Sequence, residues 1–362
     1  MGNPVIKALP EDFVVREVMA LPERTSEEPR HTYLNLRKKG YTTFEAMDLV
    51  ARHLEIPADA VSAAGLKDED GVTEQTLSVA ADVPTALLDA FNGRWTPGTE
   101  RWLSLGRVGR GARRLGIGEL LGNAFLLTLR GVEAEEAARL RAVPRGEATV
   151  LFANYYDTQR FGVAGGPKVT HLIGQALLDD EPELAFELLR TSLSHEGDLA
   201  LRHTGSAEEF FAGLDQRVTA FYRTACSSYL WNHRLARLLE RHGSDVEQTD
   251  REGLGYTFPT SRRPLLGLLA ETPELEYDKW RWSDGATRRR VSRRPTVLQT
   301  VVTVRDVEPD DMFDGLWKCE VSFMLPSGCY ATNVISQFLL QLASADPARP
   351  PLGAVASRSG VA

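Results

Sequence analysis

The densest run of chemistry-bearing residues is Ala64-Gly-Leu-Lys-Asp-Glu-Asp-Gly-Val-Thr-Glu-Gln75, where Lys67, Asp68, Glu69 and Asp70 stand between two glycines ahead of a strand. Loops at strand ends carry functional groups on a rigid scaffold. Calcium in an EF-hand loop would need another Asp or Asn where Val72 stands. Asp68-Glu69-Asp70 matches the short acidic pattern of metal-dependent glycosyltransferases, and Asp70-Gly71 would equally bend a solvated turn. A second segment, Asn154-Tyr-Tyr-Asp-Thr-Gln-Arg-Phe-Gly162, gathers aromatics, an amide and Arg160. These types stack on bases and fork onto phosphate, and they also suit a tight domain junction. A glycine-punctuated stretch runs from an arginine cluster to Gly122-Asn-Ala-Phe125, and Leu325-Pro-Ser-Gly-Cys-Tyr-Ala-Thr-Asn333 reads as a turn between a strand and a helix.

Two arginine-rich stretches accompany these. Residues 101–114 hold five arginines and no acid, and residues 281–294 hold six arginines against the single Asp284. With 42 basic and 50 acidic residues the net charge is −8, so the chain is not an indiscriminate nucleic-acid binder. Local basic patches in an acidic protein suit phosphate recognition at defined places, or else are solvated faces.

The elements that must position these residues alternate over the first 155. FVVREV (13–18), TYLNL (32–36), TLSVA (76–80), FLLTLR (125–130) and ATVLF (148–152) read as strands. Between them, Phe44, Met47, Val50, Ala51 and Leu54 recur at helical spacing, with Thr42 and Glu45 as a capping box. From about 165 to 295 the periods are helical, including a long helix that ends at Gly243, a natural cap. TVLQTVVTV and KCEVSFML then restore strand character before a last helix, NVISQFLLQLA. The middle therefore reads as an insertion into a sheet domain. The segment from Asp346 is rich in Pro, Gly and Ser and reads as a disordered tail.

The 362 residues suit roughly two domains, and 43% apolar with 25% charged residues is ordinary globular usage. No apolar stretch approaches the ~18 residues of a membrane span. The start MGNPVIKALPEDF lacks a secretory core, which makes the cytoplasm the default location. Three cysteines without a CxxC pair support neither a disulfide framework nor a cysteine zinc site, and the seven histidines show no metal-ligand spacing.

In order and spacing these segments resemble the TruD family of pseudouridine synthases. Lys7-Ala-Leu-Pro-Glu-Asp-Phe13-Val-Val looks like the family's N-terminal signature, and Gly65 to Gln75 looks like its loop G-x-K-D-x-x-x-V-T-x-Q. Arg113 to Phe125, Asn154 to Gly162 and Leu325 to Thr332 resemble three further family segments, so the likeness spans about residues 7–340. It implies an α+β fold: a pseudouridine-synthase catalytic domain, with a mixed, mostly antiparallel sheet and flanking helices, carrying an inserted, mainly helical TRUD domain. The boundaries are 1–155 and 296–345 for the catalytic domain, 156–295 for the insert and 346–362 for the tail.

The resemblance also implies uridine-to-pseudouridine isomerisation without metal or cofactor, on RNA such as tRNA. Asp68 would be the catalytic carboxylate, attacking C1′ of the ribose or C6 of the uracil, and Lys7 the cation that offsets its desolvation. Phe125 would stack on the base, with Asn123, Tyr330 and Phe13 beside it. Gly122, Lys67, Arg113, Arg114, Gln159 and Arg160 complete the expected substrate contacts. Glu69 and Asp70 replace the basic residues common after the catalytic Asp, which opens the alternatives of a free uridine nucleoside or nucleotide as substrate, as in C-nucleoside antibiotic pathways, and of a non-catalytic RNA binder.

Overall fold

The computed structural model describes residues 4–21, 30–116 and 118–344, so the expected tail at 346–362 lies outside the described residues. The chain divides into two compact units, Met1–Tyr155 with Leu298–Val334, and Tyr156–Val297 with the chain from Ile335.

The first unit is built on a ten-stranded sheet. In chain order its elements are β1 (Val5–Ile6), β2 (Phe13–Val18), β3 (His31–Lys39), α1 (Thr43–His53), β4 (Val61–Ala63), β5 (Val72–Val79), α2 (Thr85–Asn92), β6 (Trp102–Gly111), β7 (Gly122–Val132), α3 (Ala134–Arg141) and β8 (Glu147–Ala153). The second unit contributes α4 (Thr170–Leu178), α5 (Pro182–Arg190), α6 (His195–Arg202), α7 (Ala207–Gly213), α8 (Gln216–His242), β9 (Val246–Arg251), β10 (Leu254–Pro259), α9 (Arg262–Glu271), β11 (Glu274–Ser283) and β12 (Ala286–Pro295). The chain closes with β13 (Val297–Pro309), β14 (Trp317–Pro326) and α10 (Ala331–Ser344).

The sheet runs β6-β3-β5-β2-β7-β14-β13-β8, with β1 added to β7 and β4 to β5. The β2–β5 neighbours run parallel, and the pairings flanking them are antiparallel, so the sheet is mixed and mostly antiparallel, as an α+β fold requires. Leu34, Leu36, Leu77 and Val79 point from one face of β3 and β5 into a core with Val50, Ala51 and Phe91 of α1 and α2. Strand alternation carries that same face on to Lys38, Thr73 and Gln75.

Helix α1 has the expected capping box, with Thr42 Oγ1 accepting from the Glu45 amide and Glu45 accepting from the Thr42 amide. Its buried face is turned from the expected one. Phe44 is 62% exposed, while Thr43 takes the inward place in the first turn. The reason is polar: the Thr43 hydroxyl donates to Gln75 Oε1 at 3.0 Å and accepts the Lys67 amide at 2.9 Å.

In the second unit, Ile173, Ala185, Leu189, Phe210 and Tyr222 form a helical core. Two hairpins, β9–β10 and β11–β12, interrupt the helices there. Their turns, Glu252-Gly253 and Asp284-Gly285, have positive φ at both central residues, the geometry of a two-residue hairpin turn. The second turn is an Asp-Gly, a strong hairpin signal overshadowed in the sequence by arginine density. Helix α8 ends at His242, and Gly243, with φ 172, is extended rather than a left-handed cap.

Candidate active site

Cross-strand register assembles the site from three rows on one sheet face. Phe13, Val15 and Glu17 of β2 lie opposite Leu127, Phe125 and Asn123 of β7, and these lie opposite Val321, Phe323 and Leu325 of β14. On the other side of β2, Val15 neighbours Thr73 of β5, which neighbours Lys38 of β3. Paired residues project to the same face. One strip of sheet therefore presents, in adjacent strands, a lysine, a glutamate, an asparagine and a group of phenylalanines.

The loop between β4 and β5 is tied to that strip from below. Lys38 is fully buried, and its ammonium donates to the carbonyl oxygens of Asp68 at 2.6 Å, Tyr41 at 2.7 Å and Lys67 at 3.2 Å. All three of its protons are thereby used. Burial pulls its pKa down to about 8, against the upward pull of the Asp68 and Glu69 carboxylates. Gln75 donates to the Gly65 carbonyl at 3.1 Å, and the Gly40 amide donates to Glu69 O at 3.2 Å. Gly71 fits because a Cβ there would stand 2.7 Å from the Phe13 carbonyl.

Lys67 and Asp68 point to different partners, as adjacent residues on extended chain do. Lys67 turns inward and pairs with Glu17 at 2.9 Å, with side chains 7% and 0% exposed. Its charge is spent on holding the loop. Asp68 points outward, about half-exposed, and its Oδ2 lies 3.5 Å from Lys7 Nζ. Lys7 has a left-handed backbone, φ 68, which a non-glycine residue adopts only at a cost. Its ammonium also lies 4.1 Å from the centre of the Phe13 ring. Phe13 meets Phe125 edge-on at 6.1 Å, and Phe125 stacks on Phe323 at 5.4 Å. Asp68, Lys7, Phe13 and Phe125 thus form one connected chain of contacts.

Asn123 ends the polar row with a buried Oδ1 that accepts no hydrogen bond from the described residues. A buried acceptor without a donor is costly in a folded protein, and a ligand N–H would relieve it. The arrangement offers an exposed carboxylate beside a cation, an aromatic wall and an amide.

Comparison with known proteins shows what the chain is similar to. The profile of the family described as tRNA pseudouridine synthase D (TruD) matches residues 3–200. The chain belongs to the TruD family. A protein named tRNA pseudouridine synthase D from Legionella pneumophila is 36% identical over 93% of this chain and 95% of its own length. One of the same name from Geobacter sulfurreducens is 27% identical over 92% and 93%. In fold, the chain resembles the crystal structure of a putative TruD protein from Methanosarcina mazei, with a TM-score of 0.57 and 19% identity over 95% of both chains. TruD proteins are isomerases of the pseudouridine synthase class.

The other positions expected from the sequence have the following surroundings. Gly122 permits close strand approach, since a Cβ there would stand 2.2 Å from the Leu325 carbonyl. Arg113 pairs with Glu119 at 2.8 Å, and Arg114 reaches the Val61 carbonyl at 3.5 Å. Tyr330 is half-buried just before α10. Gln159 and Arg160 belong to the second unit, where Arg160 lies over the Phe221 ring at 4.5 Å. Lys38, Glu17 and Phe323 were not singled out from the sequence. Alternation would have found the first two: Leu34, Leu36 and Lys38 share a phase, as do Phe13, Val15 and Glu17. Among the described residues, no group of three or more His, Cys, Asp or Glu could hold a metal, and no helix is long and apolar enough to cross a membrane.

Proposed function

We propose that this protein isomerises a uridine of tRNA to pseudouridine in the cytoplasm, with Asp68 as the covalent residue. The observation that carries the reading is the Asp68 carboxylate facing the Lys7 ammonium at 3.5 Å, next to the Phe13–Phe125 aromatic pair, in a chain of the TruD family. The reaction breaks the N1–C1′ bond, turns the uracil and joins C5 to C1′. N1 gains a proton and C5 loses one, so the product is an isomer of the substrate.

Asp68 attacks C1′ or C6 as an ionised nucleophile. Its half-exposed position means that the bound nucleotide itself supplies the shielding from water, and Lys7 offsets the desolvation that follows. Phe125, backed by Phe323, offers a surface for the detached base, and the Asn123 Oδ1 accepts from the uracil N3–H. Tyr330 and Phe13 complete the aromatic surroundings. The unit Tyr156–Val297 is the family's inserted domain in this reading, and Gln159 and Arg160 contribute contacts to RNA.

The test is direct: incubate the protein with tRNA and count pseudouridine by mass spectrometry of nucleosides. Asp68→Asn must abolish its formation. A second reading, the same isomerisation on free uridine or UMP, is favoured by Glu69 and Asp70, which are exposed beside Asp68 where an RNA backbone would be repelled. Product from UMP and none from tRNA would replace the first reading with the second.

A further inference from the structure

The β11–β12 register sorts the charges of this hairpin onto two unlike faces. On one face, Arg289 pairs with Asp278 at 2.8 Å and Arg293 with Glu276 at 3.1 Å, so cations and carboxylates balance. On the other, Lys279 lies directly opposite Arg290 and Arg281 directly opposite Arg288. Among the described residues, the one carboxylate paired with any of these four is Asp284 of the turn, 3.9 Å from Arg288. Lys279, Arg281 and Arg290 have no ion-pair partner among the described residues. Arg281, Arg288 and Arg290 are exposed.

Like charges placed directly across antiparallel strands destabilise the pairing. A chain with 50 acidic residues nonetheless opposes cation to cation at two successive positions of one face, within a hairpin whose other face is neutralised. The array measures about 5 Å across the strands and about 7 Å along them. Such an open two-by-two field lacks the enclosure a single phosphate or mononucleotide needs. It suits a chain of phosphates that interposes negative charge between the opposed cations, and arginine forks bind phosphate in two-point fashion.

We propose that the Lys279, Arg281, Arg288 and Arg290 face is a binding surface for the sugar-phosphate backbone of RNA. This rests on the tRNA reading above and assigns part of the substrate grip to the second unit. The contacts are to phosphate, so they raise affinity without selecting sequence.

The test compares K279Q/R281Q/R288Q/R290Q with R289Q/R293Q, which alters the ion-paired face of the same hairpin. Binding of unfractionated tRNA is measured between about 50 and 200 mM KCl, with KM and kcat for pseudouridine formation alongside. The fourfold variant is expected to lower the slope of log Kd against log salt by about three. It should raise KM for tRNA about tenfold or more, keep kcat within about twofold, and unfold at an equal or higher temperature because repulsion is removed. The double variant should leave the slope unchanged. An unaltered slope in the fourfold variant, an equal loss in the control, or an equal loss of binding to polyglutamate overturns the assignment. Wild-type protein that modifies tRNA while the fourfold variant binds normally refutes the hairpin alone; hairpin-dependent binding without pseudouridine formation refutes the catalytic reading alone.

Discussion

Lys38 holds Asp68 by its backbone, donating to its carbonyl oxygen at 2.6 Å from a fully buried position, while the Asp68 side chain is left to face Lys7. Loss of one proton from Lys38 removes one of three donors to the loop. Its pKa of about 8 lies below the ~10.4 of a free lysine, so between those values the unfolded chain keeps a proton that the folded chain has released. Stability from this group therefore rises with pH across that window, by at most about 1.4 kcal/mol per pH unit. Turnover falls over the same window as the loop loosens. A kcat–pH profile alongside thermal unfolding from about pH 7 to about pH 10.5 reads both, and Lys38→Met should flatten the high-pH fall in kcat from a lower plateau.

Asp68→Asn keeps the shape of the side chain and every backbone bond to Lys38. Turnover should drop by more than the ~10²–10⁴ that one acid–base group contributes, with tRNA affinity within a few-fold of wild type. Residual pseudouridine at a tenth of the normal rate would remove Asp68 from the covalent role.

Lys7→Gly suits the left-handed backbone at this position, which costs a side-chain-bearing residue roughly 1 kcal/mol. The variant should unfold no lower than wild type and still lose at least about tenfold in turnover. Calorimetry beside a single-turnover assay separates the two effects. Full activity without the ammonium would show that Asp68 works unaided.

Glu17→Gln leaves the buried Lys67 charge without its partner, which costs about 3–5 kcal/mol in pairs of this kind. Denaturant titration should show that loss. Adding Lys67→Met should recover most of it, because the glutamine introduced at position 17 still offers an acceptor to the Thr76 amide, which in the native chain donates to Glu17 at 3.3 Å. Equal stability of the single variant and wild type would mean the pair contributes nothing.

Asn123→Ala removes an acceptor that is unpaired in the folded protein. Stability should be unchanged or slightly higher, and KM should rise roughly three- to tenfold, the equivalent of one uncharged hydrogen bond. A fall in stability with KM unaltered would make Asn123 a packing residue.

Much of the fold was legible because strand alternation and helix capping are local. FVVREV, TYLNL, FLLTLR and the Thr42–Glu45 capping box all appear where their patterns place them. Phe44 misleads because α1 spends its inward position on Thr43, whose hydroxyl bridges Gln75 and Lys67 across 24 or more residues of sequence. No local pattern carries such a bond. The motif around Asp68 was visible as a string of letters, whereas the lysine beneath it lies 30 positions away and shares only a strand phase with its apolar neighbours. The hairpins at 246–259 and 274–295 were hidden by a helical context and by charge, although their turns conform to simple geometry.

The clamp of Lys38, Gln75 and Gly40 grips carbonyl oxygens, which every amino acid possesses. Side chains at positions 69 and 70 can consequently change without loosening these backbone bonds, while a basic residue at 69 would take away a carboxylate that holds the Lys38 pKa up.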